Sequence, residues 1–473
     1  MLYLAIIANY INYTFNIINF IIKGGLMKAN LIFKLLAAAL LIFFLTFTTT
    51  NLISQSWTAL GTGSNNSINA SIVFNGELIV GGDFTSIGGI GANRIAKWNG
   101  TSWSPLGLGT NGSVYAMLIF NGELIVAGSF TQVGGVSATR IAKWNGSNWL
   151  LFGSNNGFND DVLALALYNN ELYATGRFTN NGLNRIARWN GTAWQQPGLG
   201  LNDHAHALAV YNNELVVGGG FTTAGGISAN RIAKWNGTTW SSLGLGMNNE
   251  VFALAVLNNE LYAGGEFTQV GGVGVNRIAK WTGSWSNLGT GVNGTVDALY
   301  SYGGMVLAGG SFTSAGGVGA NRIAAWNGTN WSAYGTGMNN DVLTISVYTN
   351  VIYAGGSFTT ASGTTVNRVT RWSMPVAIQI NGNEIPENYS LGQNYPNPFN
   401  PVTKIKFELP SGGLTSLIVY DNLGRAVEEL VNKDLAGGSY EISFDASRYS
   451  SGVYYYELNS GNFRDVKKMM LIK

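Results

Sequence analysis

The feature that most constrains this chain is a seven-fold internal repeat. The Phe-Thr of a Gly-Gly-x-Phe-Thr motif recurs at Phe84, Phe130, Phe178, Phe221, Phe267, Phe312 and Phe358, at spacings of 43 to 48 residues. Each copy is followed by Arg-Ile-Ala-Lys-Trp or a close variant, at Arg94–Trp98, Arg140–Trp144, Arg185–Trp189, Arg231–Trp235, Arg277–Trp281, Arg322–Trp326 and Arg368–Trp372. A second Trp follows in the next strand. A period in the mid-forties is that of a four-stranded propeller blade. Strand a reads as an apolar run such as Val251–Leu257, and strand b as Glu260–Phe267. Strand c reads as Arg277–Trp281, and strand d as Trp285–Leu288. Asn-Gly pairs such as Asn75-Gly76 and Asn236-Gly237 sit between them, where two-residue hairpin turns need positive φ.

The ends of the repeat carry a further expectation. Ser56-Trp57-Thr58-Ala59-Leu60 reads as a strand d with no blade before it, and the last copy stops after strand c at Trp372. The orphan strand completes the last blade and closes the ring, which pairs the exposed edges. All 14 Trp fall in this scheme, seven in c and seven in d, so they read as structural. The expected fold is all-β: a seven-bladed β-propeller with four strands per blade, closed by the N-terminal strand, plus a small C-terminal β-sandwich.

Composition narrows the function classes. Charged residues are only 11%, and the net charge is +2 with no basic stripe, so nothing resembles a nucleic-acid footprint. With no Cys, disulfides, thiolate metal sites and Cys nucleophiles are excluded. Residues 1–54 read as an N-terminal extension and signal peptide. Met27 is the expected start, Lys28 and Lys34 precede an apolar run from Leu35 to Phe47, and cleavage is expected near Ser54–Gln55. The competing reading is an uncleaved anchor.

The Gly doublet closing strand b, the aromatic ending strand c and the Trp opening strand d resemble kelch and galactose-oxidase-like propellers over residues 55–373. The resemblance implies the fold and little about function. The copper chemistry of galactose oxidase uses a Cys-linked Tyr, and this chain has no Cys and two His. No cofactor is expected.

Residues 374–388 read as a linker and 389–473 as a second domain. Short strands are expected at Thr403–Glu408, Ser416–Tyr420, Ser439–Phe444, Gly452–Leu458 and Lys467–Ile472. The run Tyr395-Pro396-Asn397-Pro398-Phe399-Asn400-Pro401, then Val419-Tyr420-Asp421 with Gly424-Arg425, Ser451-Gly452-Val453-Tyr454 and the basic pair Lys467-Lys468 resemble the type A sorting domain of the type IX secretion system. That resemblance implies export through the periplasm, recognition by the secretion machinery as partner, and release or attachment at the outer-membrane surface.

A search for chemistry returns no catalytic residues and no metal-ligand cluster of recognisable spacing. The repeated Arg reads as a structural donor, and the Gly-Gly doublets read as turn residues. Function in such a scaffold is expected where the repeat varies. Two columns at the start of strand a do so. One runs Ser67, Ser113, Asp161, His204, Glu250, Thr295 and Asp341; two positions on, the other runs Asn69, Tyr115, Leu163, His206, Phe252, Asp297 and Leu343. Positions two apart share a strand face, and strand a is innermost, so these columns are expected at the channel mouth. Asp161, His204, His206, Glu250, Asp297 and Asp341 are the candidate ligand-binding residues, for a sugar or a cation. The b–c loops, such as Thr268–Val275, are a second candidate surface.

The residues favour a secreted or surface-attached binding or adhesion protein, a monomer, taking an extracellular glycan or protein ligand. Two alternatives stay open. One is a polysaccharide hydrolase or lyase using Asp161, Glu250, Asp297 or Asp341. The other is a purely structural cell-envelope repeat protein.

Overall fold

The computed structural model describes residues 56–153, 157–348, 351–373, 379–380, 386–446 and 449–472. The signal-peptide reading, Met27 as start and the cleavage point lie outside these residues, as does most of 374–388. Every regular element among the described residues is a β-strand.

Seven four-stranded antiparallel sheets form the blades of a propeller. Their innermost strands are Ile68–Phe74, Val114–Phe120, Val162–Tyr168, Ala205–Tyr211, Val251–Leu257, Val296–Tyr302 and Val342–Tyr348. Each packs beside the innermost strand of the next blade, and the seventh packs beside the first, so the ring closes. Blade 7 takes its outermost strand from the N-terminus: Ser56–Ala59 pairs with Val369–Ser373, with Trp57 opposite Trp372.

Packing explains the repeat. Strand b is apolar after its first residue, Thr175 apart, because neighbouring blades cover both of its faces; in Glu260–Gly265 every residue after Glu260 is buried. Strand a alternates buried and half-buried, one face on the adjacent blade and the other on the channel. The two Trp of each blade meet edge-on or tilted, with ring centroids 5.1 to 5.5 Å apart in all seven. In six blades the strand-d Trp also clamps the preceding blade: Trp285 Nε1 donates to Leu243 O at 3.0 Å, and Trp57 Nε1 to Tyr334 O at 3.1 Å; Trp194 of blade 3 does not.

The c–d turns at the Asn-Gly pairs are not the expected two-residue hairpins: four residues, such as Asn236–Thr239 between Trp235 and Trp240, link the strands, and only the Gly stands at positive φ, 100° at Gly237. Four further details differ from the sequence reading. First, strand c begins at the Ile, as in Ile278–Trp281, not at the Arg. The seven Arg stand at φ between 61° and 73°, a left-handed conformation that costs a non-Gly residue. Their backbones hold it: Arg277 N donates to Phe267 O at 2.9 Å, while Arg277 O accepts from Gly265 N at 3.0 Å. Five of the side chains donate to backbone carbonyls, as in Arg94 Nη1 to Thr110 O at 3.2 Å and Arg140 Nη1 to Ser129 O at 3.0 Å. Second, the glycines closing strand b are strand residues rather than turn residues. A Cβ on Gly265 would lie 2.0 Å from Glu250 O, so the two backbones approach as closely as only Gly permits. Third, the b–c segments are not plain loops. In six blades they carry a two-stranded hairpin, such as Gln269–Val270 with Val273–Gly274. Blade 3 has none, and a recess lined by Thr179, Asn184, Arg185, Leu199 and Asn202 opens there.

Fourth, the C-terminal sandwich holds more strands than the sequence suggests. One sheet orders Gln379–Ile380, Gly438–Asp445, Val402–Leu409 and Ser390–Leu391, and the other Ala426–Leu435, Gly413–Tyr420, Gly452–Ser460 and Phe463–Leu471. They enclose one core that includes Ile405, Phe407, Leu417, Val419, Ile442, Tyr456 and Met469. Ala426–Leu435 escaped the sequence reading because it is an edge strand carrying Glu428, Glu429 and Asp434.

Candidate functional site at the channel mouth

Each strand a opens with the same irregularity. Its first residue pairs with the last residue of strand b and its third with the one before, so the second is an inserted bulge residue. Those seven bulge residues are Asn69, Tyr115, Leu163, His206, Phe252, Asp297 and Leu343, the second variable column. The first column lies just before the strand. Simple two-residue alternation therefore does not describe this corner; the bulge re-aims the second column. All 14 residues of the two columns are half-buried, as expected of a wet channel rim.

A third variable column was missed, although its signal was available as the x of Gly-Gly-x-Phe-Thr. It runs Asp83, Ser129, Arg177, Gly220, Glu266, Ser311 and Ser357. In every blade its backbone N–H donates to the carbonyl of the first column, as in Gly220 N to His204 O at 2.9 Å and Glu266 N to Glu250 O at 3.0 Å. The mouth thus receives three side chains per blade, except in blade 4, where the third column is Gly220. Six of them are carboxylates (Asp83, Asp161, Glu250, Glu266, Asp297 and Asp341), against one Arg.

The candidate residues fall into three groups. His204, His206 and Glu250 come together between blades 4 and 5. His204 Nε2 and His206 Nε2 stand 3.3 and 3.2 Å from Glu250 Oε2, within hydrogen-bond reach, and the imidazoles meet edge-on at 4.8 Å. His206 also meets Phe252 edge-on at 4.9 Å. His204 Nδ1 donates to Asp203 Oδ1 at 2.8 Å, a partner the sequence reading did not name. Burial, helped by the nearby His204, pushes the His206 imidazole down to about 4 despite the pull of Glu250. Burial raises the Asp203 carboxyl, but hydrogen bonds from the His204 backbone and ring outweigh it and hold it below the ordinary carboxylate range.

Asp297 and Asp341 belong to blades 6 and 7. Burial, then the charges of Asp341 and Glu266, push Asp297 up to about 7, so it holds its proton into the neutral range. Asp341 stands 3.6 Å from Arg322 Nη1. Asp161 stands apart in blade 3; burial and the neighbouring Asp160 raise its carboxyl, opposed by Arg177 and Arg140.

In the C-terminal sandwich the sorting-signal residues split by role. Phe399 is buried, and its backbone bonds the last strand at Met470 O, 2.9 Å. Asn397 Oδ1 accepts from Met470 N at 2.9 Å, and Pro396 O accepts from Thr403 Oγ1 at 2.8 Å. Asp421 closes a turn onto Arg425 Nε at 2.7 Å, with Gly424 at φ 76°. Tyr454 packs inward and donates to Ser450 O at 2.9 Å, and Gly452 opens its strand. Pro398 lies between Asn397 and Phe399 on the surface, Tyr395 is 80% exposed, and Arg425 and Lys468 also face solvent. Lys467 pairs with Asp465 at 3.3 Å.

Two stretches match known families. Residues 393–473 match the secretion system C-terminal sorting domain, and residues 41–210 match the Rax2 C-terminal beta propeller domain. No curated protein matches the chain. Among solved structures, a fungal alcohol oxidase of the AA5 family in complex with copper covers 88% of this chain and 99% of its own, at 12% identity and a TM-score of 0.42, a likeness too slight to carry residues or chemistry across. The chain therefore carries a β-propeller followed by a type IX secretion sorting domain, which marks it as secreted or attached at the cell surface and as a client of that secretion machinery.

Proposed function

We propose that this is a secreted or surface-attached binding protein whose propeller mouth takes a hydroxyl-rich ligand, with extracellular glycans as the class. One observation carries the reading: on one face of an otherwise repetitive scaffold, three columns of positions vary, and they include six carboxylates, six hydroxyls, two imidazoles, two aromatics and one amide. Carboxylates and the Asn69 amide accept and donate hydrogen bonds to sugar hydroxyls, and Tyr115 and Phe252 offer apolar faces. Export through a signal peptide starting at Met27 belongs to the same reading.

A second reading has its own support. Asp297 stays protonated near neutral pH beside Asp341, which has Arg322 close by. A carboxyl that holds its proton into the neutral range, with a second carboxyl near enough to act on it, is an arrangement suited to acid-assisted glycoside hydrolysis.

Binding of the purified chain to a panel of surface polysaccharides, with product release followed in parallel, separates the readings. Saturable binding that weakens at least tenfold in Tyr115→Ala, without product, supports the first. Product release abolished by Asp297→Asn supports the second. Neither response, in a folded protein, leaves a structural envelope protein.

A further inference from the structure

We propose that His204, His206 and Glu250 form a divalent-metal site of the zinc type, built across the junction of blades 4 and 5. One donor atom from each of the three residues lies within 4.8 Å of the others. The two imidazole Nε2 atoms already stand 3.3 and 3.2 Å from Glu250 Oε2. Ligands held at about 2.0–2.2 Å in a tetrahedral zinc shell are about 3.3–3.5 Å apart, so two of the three edges have the required length. The third closes by a small rotation of either ring about its side-chain bonds.

Three further observations point to a ligated ion rather than a plain hydrogen-bonded cluster. Asp203 accepts from His204 Nδ1 at 2.8 Å, which fixes the ring orientation and aims Nε2 at the site. This carboxylate–histidine arrangement is the outer support that metal-bound imidazoles ordinarily carry. Gly220 occupies the position where the other blades carry Asp, Ser, Arg, Glu, Ser and Ser. A Cβ there would lie 2.7 Å from His204 Cε1 and 3.2 Å from Glu250 Oε1, so the side chain is missing where the cluster needs room. Finally, the side chains of His204, His206 and Glu250 keep 21%, 18% and 29% of their surface exposed. Three protein ligands with one side open to the channel leave a coordination position for water or a ligand oxygen, unlike a closed structural site.

The donor set decides the class of ion. Two imidazoles and one carboxylate suit zinc and its transition-metal neighbours, whereas calcium and magnesium prefer all-oxygen shells. The proposal does not rest on the glycan reading, because its probe is the metal alone.

The test is a zinc titration of the full chain, purified without a polyhistidine tag and stripped with a chelator. One zinc per chain is expected. His206→Ala and the isosteric Glu250→Gln should each weaken binding at least about 100-fold, and Asp203→Asn about 10–100-fold, the range for outer-shell partners. Cobalt in place of zinc should give an intense tetrahedral visible band, absent from His206→Ala. Thermal unfolding confirms that the variants are folded, and Glu250→Gln keeps the hydrogen-bonding shape of the junction if His206→Ala does not fold. No saturable uptake by the parent chain, or uptake unchanged in a folded Glu250→Gln, overturns the proposal.

Discussion

The junction of blades 4 and 5 and that of blades 6 and 7 are the same structure with different chemistry. Both have the bulged strand a, the close approach of strand b and the Trp clamp onto the preceding blade. At corresponding positions the first presents His204, His206, Glu250 and Phe252, and the second Thr295, Asp297, Asp341 and Leu343. One becomes a nitrogen–oxygen cluster around a shared carboxylate; the other becomes a half-buried acid under the influence of a second acid. The backbone sets where side chains arrive, and only the residue types decide what they do there. One scaffold position can therefore host unrelated chemistry without a change in fold.

Four measurements break or sharpen this comparison. The largest effect concerns the part both junctions share. Gly265→Val and Gly356→Val each drive a Cβ to within 2.0 Å of a backbone carbonyl. Each should cost more than about 3 kcal/mol, or prevent folding, by thermal or denaturant unfolding. A large difference between the two would show that the scaffolds are not equivalent.

The next effect belongs to blades 6 and 7 alone. The folded pKa of Asp297 is raised from 3.8 to about 7. Its contribution to stability is therefore fully present below about pH 4 and lost as pH rises through about 7. Asp297→Asn should leave stability at pH 4 little changed and raise it at pH 8, by about 1–2 kcal/mol once water in the channel is allowed for. Equal effects at both pH values would contradict the buried-acid description.

The clamp has an effect of similar size. Trp285→Phe and Trp57→Phe remove one hydrogen bond each, to Leu243 O and Tyr334 O, and should cost about 1–2 kcal/mol with the lost ring area. The Trp57 variant should also raise protease sensitivity, because that strand closes the ring. The smallest effect is in the Lys–Glu pairs on strands b and c. Lys280 and Glu260 are 2.7 Å apart in blade 5, while blade 7 has Val351 and Arg371 at those positions. Lys280→Met should cost below about 1 kcal/mol, less so at high salt.

Much of the architecture was legible because repetition exposes it. Seven copies of Phe-Thr and of the strand-c Trp mark seven blades, and the unpaired Ser56–Ala59 segment signals closure. Period-two patterning fails at the bulge, which has no local signature of its own: His206, Phe252 and Asp297 look like ordinary strand residues. The positive φ of Arg277 was equally hidden, because tertiary hydrogen bonds rather than the residue's preference hold it. Local rules likewise read the b–c hairpins as loops, since each strand of the pair is only two residues long.

From residue types and spacing alone came the all-β class, the blade number and the closing strand; the sorting domain came from the resemblance of its motifs to a known family. Each follows from a local preference repeated, or from a motif read whole. The site was decided elsewhere. His204 and Glu250 are 46 residues apart, one blade pitch, so the repeat alone implies that they occupy neighbouring blades. Whether their side chains touch depends on the bulge, on the missing side chain at Gly220 and on the pitch between adjacent sheets. Those are properties of packed backbones, and only the closed ring brings them to a single place.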